Sequence, residues 1–198
     1  EVHGISLFEA AHEHQAAELA ERLNMPYLFA PTERQFGRPS FGNALLCRLP
    51  VTSWLRIPLA SSADRGKRNA LLATIDLNGR PLRLIVTHVD LRTDHVGQLG
   101  AVIELFRALQ PPAILMGDLN AQITSKQIRE LIDQPGVCWV NADAQGKLRD
   151  WIIVRGLRFI EQEALDNGAS DHRCLRAVLE VADDAGARKG LNRSLPDS

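Results

Sequence analysis

An imbalance of charge is the first thing this sequence lacks: Lys and Arg number 23, Asp and Glu 24, and the formal net charge is −1. A domain that grips nucleic acid regardless of sequence carries a clear excess of Lys and Arg, because it neutralises phosphates. That class is disfavoured, although a local basic patch is compatible with the total. Long hydrophobic runs are also missing. None approaches the ~20 residues that span a bilayer, so no transmembrane segment is expected. Cysteine is scarce. Cys47, Cys138 and Cys174 are odd in number, far apart and in no paired spacing. A disulfide frame and a cysteine zinc site are disfavoured, and all three are expected to be buried apolar residues of a reducing, cytoplasmic protein. There is no initial Met, no signal peptide and no polar lead-in before Glu1-Val2-His3. A fragment or trimmed chain is expected, whose targeting segment would be missing. No short repeat is evident.

What is present suits one domain with a sizeable core. The chain has 198 residues, 45% hydrophobic and 24% charged, which argues against wholesale disorder. Residues 5–23 read as an amphipathic helix through Ile5, Phe8, Leu19 and Leu23, ended by Asn24 and Pro26. Residues 27–30 make a short strand candidate, and 31–42, with two prolines and two glycines, read as a loop. Strands are expected at 43–48 and 51–59, split at Leu49-Pro50, and at 69–77 and 81–89, joined by the hairpin dipeptide Asn78-Gly79. A helix over 95–109 stops at Pro111-Pro112, and a buried strand follows at 113–116. A further helix at 124–133 precedes strands near 137–140, 150–154, 157–163 and 172–181. From Ala182 the composition becomes polar and predicts a flexible tail over 182–198. Helices covering mixed sheets are the natural solution.

Four local features carry chemistry. Gly117-Asp118-Leu119-Asn120 ends a buried strand, where Asp118 and Asn120 can face one cleft. A carboxylate there binds a hard cation or takes a proton, and an amide donates to a phosphoryl oxygen. The alternative is a loop in which both side chains cap local backbone groups. Ser170-Asp171-His172 precedes an apolar strand and serves either a site or a solvated turn. Thr87-His88-Val89-Asp90 leaves a strand end, where His88 is either a site residue or a satisfied structural histidine. Asp150 stands before another apolar run. A carboxylate near His172 fixes the imidazole tautomer and favours its charged form.

In this order the features resemble the endonuclease/exonuclease/phosphatase (deoxyribonuclease I-like) superfamily. The resemblance rests on Glu1-Val2, Phe41-Gly42-Asn43-Ala44-Leu45-Leu46, Arg68, Thr87-His88, Gly117-Asp118-Leu119-Asn120, Asp150-Trp151-Ile152 and Ser170-Asp171-His172. It covers nearly the whole chain to about Val181, implying a catalytic domain over 1–181. The implied fold is α/β: a four-layer sandwich of two mixed, mainly antiparallel sheets packed face to face with helices outside. The implied catalytic residues are His88, Asp118, Asn120, Asp150 and His172. Glu1 and Asp171 are implied metal ligands for Mg²⁺ or Mn²⁺. Arg68, Asn43, His88 and Asn120 are implied phosphate contacts. Family members carry an earlier strand with an asparagine that helps bind the metal, and Glu1 leaves no room for it; a missing first strand is expected.

The activity implied is hydrolysis of a phosphodiester by in-line attack of water. Asp118 would position the water, and Asp150 would orient His172. The substrate would be a phosphate ester, either nucleic acid or a phospholipid head group, and the protein a monomer. Arg34, Phe36 and Arg38 either line the cleft or belong to a solvated loop. The competing class is a non-catalytic phosphate-binding or protein-interaction domain that keeps the fold. Retention of Asp118, Asp150 and Asp171 argues against that class. His12 and His14, two apart on a helix, point to different faces and make no second metal site.

Overall fold

The structure is a computed structural model. It describes residues 2–3, 15–35, 38–62, 67–141, 149–166, 170–182 and 193–194. Side chains are described in 15–32, 41–62, 67–141, 149–166 and 170–182. The chain forms two compact units, Glu1–Gln98 and Leu99–Ser198.

The first unit contains β1 (Val2–His3), α1 (Gln15–Leu23), β2 (Tyr27–Gln35), β3 (Arg38–Leu46), β4 (Val51–Pro58), β5 (Asn69–Leu77) and β6 (Arg80–His88). Helix α1 ends where the sequence places its stop. Asn24 takes φ +47°, its N–H donates to Glu21 O at 3.1 Å, and the Met25 N–H donates to Ala20 O at 2.9 Å. This is the Schellman pattern, which satisfies the helix's last carbonyls. The buried face differs from expectation. Ala16 and Ala20 are buried, whereas Leu19 and Leu23 are 45% and 49% exposed. Alanines let the helix lie close on β2 and β3, against which it packs. The part of the expected helix before Gln15, with His12 and His14, lies outside the described residues.

The expected loop over 31–42 is corrected. Strands β2 and β3 run through it as an antiparallel pair, from Tyr27↔Leu46 to Gln35↔Arg38. The order β1-β3-β2 makes β2 an edge strand. Register shifts between Pro31 and Glu33 and between Glu33 and Arg34 absorb the proline, and edges and bulges are where strands tolerate one. Gly42 is there because nothing larger fits: a Cβ would stand 2.4 Å from Ala30 O and 2.9 Å from Pro31 Cα. We expect Gly42→Ala to destabilise the protein by about 1–3 kcal/mol, the usual cost of overpacking against backbone. Thermal melting checks this, and an unchanged midpoint would count against the close approach.

Strands β4, β5 and β6 form an antiparallel meander. At the β5–β6 turn, Asn78 and Gly79 have φ of 54° and 85°, the two positive values a type I′ turn requires. Three polar side chains stitch β5 to its neighbours. Asn69 is fully buried and donates from Nδ2 to Ala30 O at 3.1 Å and Pro31 O at 3.0 Å. Its own carbonyl accepts from Asn43 Nδ2 at 3.0 Å and Thr87 Oγ1 at 2.9 Å. A second buried amide, Gln98, accepts from the Asp90 N–H at 2.9 Å and donates to Ala60 O at 2.8 Å. Buried polar groups are tolerated when satisfied in this way. Beside it, Asp94 accepts from the Ser62 N–H and Ser61 Oγ. Those bonds, the Ser62 backbone first, hold its carboxyl below the usual range.

Helix α2 (His95–Ala108) leads from the first unit into the second. The second unit then contains β7 (Ala113–Asp118), α3 (Lys126–Ile132), β8 (Val137–Asn141), β9 (Asp150–Arg155), β10 (Leu157–Leu165), β11 (Cys174–Val181) and β12 (Arg193–Ser194). Its sheet order is β12-β8-β9-β7, with β10 and β11 a separate antiparallel pair. Strand β9 is paired on both sides, which is why Ile153 and Val154 are fully buried. Strand β10 packs on β8 and β9, and α3 packs on β8. Arg155 stacks on Phe106, 5.6 Å from the ring centroid, and donates to Arg107 O at 3.2 Å, Phe106 O at 3.5 Å and Leu109 O. A cation at a helix C-terminus satisfies its last carbonyls.

Only Cys138 is buried, and burial raises its thiol pKa. Cys47 is half-buried and Cys174 is exposed, because Cys174 starts β11 on its outward-facing alternation. Of the expected tail, only Ala182 and the two residues of β12 are described; Arg193 and Ser194 pair in parallel with Val140 and Asn141. Among the described residues, no helix is long and apolar enough to cross a membrane.

Candidate active site

The second unit's chemistry gathers at one end of the β7–β9 pair. Antiparallel register sets Gly117 opposite Trp151 and Asp118 opposite Asp150. Directly opposed residues project from the same face, so the two acids are neighbours by register alone. Gly117 has φ 134°, a value few side chains accept. Two residues on, Asn120 takes φ 47°, and its N–H donates to Asp118 Oδ1 at 2.7 Å. This Asx-type turn is the local capping considered for the motif, and it sets the backbone after β7. Leu119, fully buried, anchors the turn, and its N–H donates to Arg149 O at 2.9 Å.

His172 comes from the segment before β11. Its N–H donates to Ser170 Oγ at 3.0 Å, which gives the serine of Ser170-Asp171-His172 a role in shaping that turn. The imidazole Nδ1 lies 2.6 Å from Asp150 Oδ2. A carboxylate there fixes Nδ1 as the protonated nitrogen. Asp171 is nearly fully exposed, with Oδ2 4.0 Å from His172 Nε2. Asp150 is held from behind, since Asn141, 3% exposed, donates from Nδ2 to its carbonyl at 2.9 Å.

The electrostatics follow. Burial pushes the Asp150 carboxyl up, outweighing the hydrogen bond and charge of His172, and the facing Asp118 pushes the same way. For His172, burial acts downward, but the hydrogen bond and charge of Asp150, with the charges of Asp118 and Asp171, carry the imidazole above its ordinary value. The histidine of this pair therefore keeps its proton to higher pH than an isolated one.

Asn43, Arg68 and His88 belong to the first unit. Asn43 is 3% exposed, and its Nδ2 is shared between Asn69 O and Asn69 Oδ1, both at 3.0 Å. In this structure the Asn43 donor is engaged inside the fold, because β3 turns this side chain toward β5. Arg68 lies over the Phe41 ring, 5.4 Å from its centroid, and the Phe41 and His88 rings are 6.5 Å apart. Arg34 and Arg38 lie in β2 and β3, while Phe36 and Glu1 lie outside the described residues.

Sequence reasoning missed Arg149, whose Nη1 donates to Asn120 Oδ1 at 2.8 Å. It also missed Asn141 behind Asp150, and it named Trp151 only within Asp150-Trp151-Ile152, without the Nε1 bond to Ala121 O at 2.9 Å. Arg149 has no periodic signal; its adjacency to Asp150 was the one clue.

A family model described as Endonuclease/Exonuclease/phosphatase family matches residues 5–172. The chain belongs to that family. Its fold is also that of solved structures. A conserved protein of unknown function from Enterococcus faecalis is 18% identical, covers 85% of this chain and 81% of its own, and has a TM-score of 0.69. The human Nocturnin catalytic domain with bound sulfate is 20% identical, with coverage of 83% and 75% and a TM-score of 0.64. Danio rerio TDP2 complexed with a single-strand DNA product is 16% identical, with coverage of 91% and 84% and a TM-score of 0.64. No match is found among curated proteins. The expected α/β fold, with mainly antiparallel sheets and helices, stands.

The family resemblance implies Mg²⁺ or Mn²⁺. Aspartate oxygens are the hard donors such ions take, so Asp118, Asp150 and Asp171 suit them in kind. Among the described residues, no three His, Cys, Asp or Glu side chains are grouped to hold an ion. Glu1, the expected glutamate ligand, is outside that set.

Proposed function

We propose that this protein hydrolyses phosphate esters, a phosphodiester foremost, by attack of water at the end of β7 and β9. The observation that carries the reading is the 2.6 Å contact between His172 Nδ1 and Asp150 Oδ2, placed by register beside Asp118. With Nδ1 turned to Asp150, Nε2 is the nitrogen that donates to a phosphoryl oxygen. Its charge stabilises the negative charge that builds there. Asp118 is assigned to hold and deprotonate the water, and the Asn120 amide to donate to the phosphate. Asp150 touches no substrate in this scheme; it orients and charges His172. Asp171 and Glu1 would hold Mg²⁺ or Mn²⁺, which when bound would supply Lewis-acid stabilisation of phosphate charge. Membership of the family and the acids at the strand ends support the reading. Nucleic acid is the favoured substrate class, since one similar structure is described with a single-strand DNA product.

The test is a screen of the protein against single-stranded DNA, RNA, bis-p-nitrophenyl phosphate, sphingomyelin and inositol phosphates, with Mg²⁺ or Mn²⁺ and then with EDTA. Turnover that EDTA abolishes and fresh metal restores is expected. No turnover on any substrate, or turnover indifferent to chelation, would overturn the scheme.

A further inference from the structure

Arg149 is a half-buried guanidinium whose recorded side-chain bond goes to a neutral group. Its Nη1 donates to Asn120 Oδ1 at 2.8 Å. Among the described residues no ion pair joins it to a carboxylate, although Asp150 follows it in the chain and Asp118 stands opposite Asp150 in the β7–β9 register. Among the described residues this partly desolvated cation has no carboxylate partner, an arrangement that suits an anion. The bond to Oδ1 has a second consequence. It fixes which end of the Asn120 amide is oxygen and which is nitrogen, with Oδ1 turned to Arg149. The Arg149 backbone adds rigidity, because its carbonyl accepts from the Leu119 N–H at 2.9 Å. Arg149 thus grips both sides of the turn that carries Asn120.

We propose that Arg149 is the positioning residue for Asn120 and supplies the positive charge that draws a substrate phosphate onto that amide. This rests on the phosphoesterase reading for its catalytic consequence, while the anion site is testable without it. The geometry separates two duties: a hydrogen bond to Oδ1, which a neutral donor can supply, and a charge, which it cannot. Arg149→Gln keeps a donor and drops the charge, Arg149→Lys keeps both in poorer geometry, and Arg149→Ala loses both.

The experiment titrates inorganic phosphate into the wild-type protein and the three variants by calorimetry. It then measures kcat and KM on bis-p-nitrophenyl phosphate, with thermal melting alongside. Wild-type protein should bind phosphate. Arg149→Gln and Arg149→Ala should bind it at least roughly tenfold more weakly, as expected for loss of a charge-assisted contact, and Arg149→Lys should recover most of the difference. In turnover, Arg149→Gln should raise KM more than it lowers kcat, whereas Arg149→Ala should also lower kcat. The inference is overturned if Gln and Ala variants bind phosphate like the wild type. It is equally overturned if all three variants weaken together in step with a fall in melting temperature, which is what a purely structural arginine would give. If the wild type binds phosphate but turns over no ester, the catalytic reading fails and the phosphate titration still decides the role of Arg149.

Discussion

Replacing His172 with Ala is expected to lower kcat/KM on bis-p-nitrophenyl phosphate by ~10²–10⁴-fold, the range over which positioned proton donors act. The fold should survive, since His172 is half-exposed and forms no part of the core. Melting of the variant checks that point. Asp150→Asn gives the sharper test because it acts on charge. In the intact pair, burial pulls the imidazole pKa down and the Asp150 hydrogen bond and charge raise it more, assisted by Asp118 and Asp171. Removing the carboxylate leaves burial opposed only by the two remaining acids, so the pKa should drop. If the protonated imidazole is the active form, activity is held below that pKa and lost as pH rises through it. The alkaline limb of the pH–rate profile should therefore move to lower pH in Asp150→Asn. Linkage has the same sign for stability: the raised histidine contributes fully below its ordinary pKa, and the contribution fades as pH climbs through the raised one. A profile that keeps its alkaline limb in place, or moves it upward, would show that Asp150 does not charge His172.

Trp151→Ala is expected to be the most damaging change to stability. Trp151 is 1% exposed, its ring meets Trp139 at 5.5 Å between centroids, and Nε1 donates to Ala121 O at 2.9 Å. Removing a buried ring of this size costs ~3–5 kcal/mol, or roughly 6–20 °C in Tm for a domain of this length. The loss is not merely of packing. Trp151 follows Asp150 in β9 and ties the segment after Asn120 to that strand, so it holds the two halves of the proposed site together. Trp151→Phe keeps most of the ring and gives up the hydrogen bond, and should cost about 1 kcal/mol for the bond together with a modest packing loss. A melting temperature for Trp151→Ala within about 2 °C of the wild type would contradict the burial described.

The elements legible in the sequence are those specified by local chemistry. Asn78-Gly79 demands positive φ at two successive positions, and the hairpin is where that demand places it. Asn24 with Pro26 beyond it marks the end of α1, and Pro111-Pro112 closes α2. The Gly117–Asn120 and Ser170–His172 segments were legible because small and polar residues interrupt apolar runs there. Elsewhere long-range pairing overruled local signals. Pro31, Gly37, Pro39 and Gly42 spell a loop locally, yet β2 and β3 pair through most of it by bulging. Leu19 and Leu23 should have marked the buried face of α1, but close contact with a sheet selected Ala16 and Ala20 instead. Asn43 shows the same limit inside a site. Its motif suggested a cleft, and only the fold reveals Asn69 beneath it. Arg149 was illegible for the same reason, because its partner stands far back in the chain and no periodicity connects them.

The φ of 47° at Asn120 has an implication for how freely this position can vary. The left-handed region excludes most side chains, and Asn is among the few besides glycine that enter it readily. Glycine would satisfy the backbone and forfeit the amide; glutamine would keep an amide and fight the backbone. Two unrelated requirements thus converge on one residue and leave it almost no substitutes. Drift in a population of related sequences would spare this position even where the reaction itself had changed.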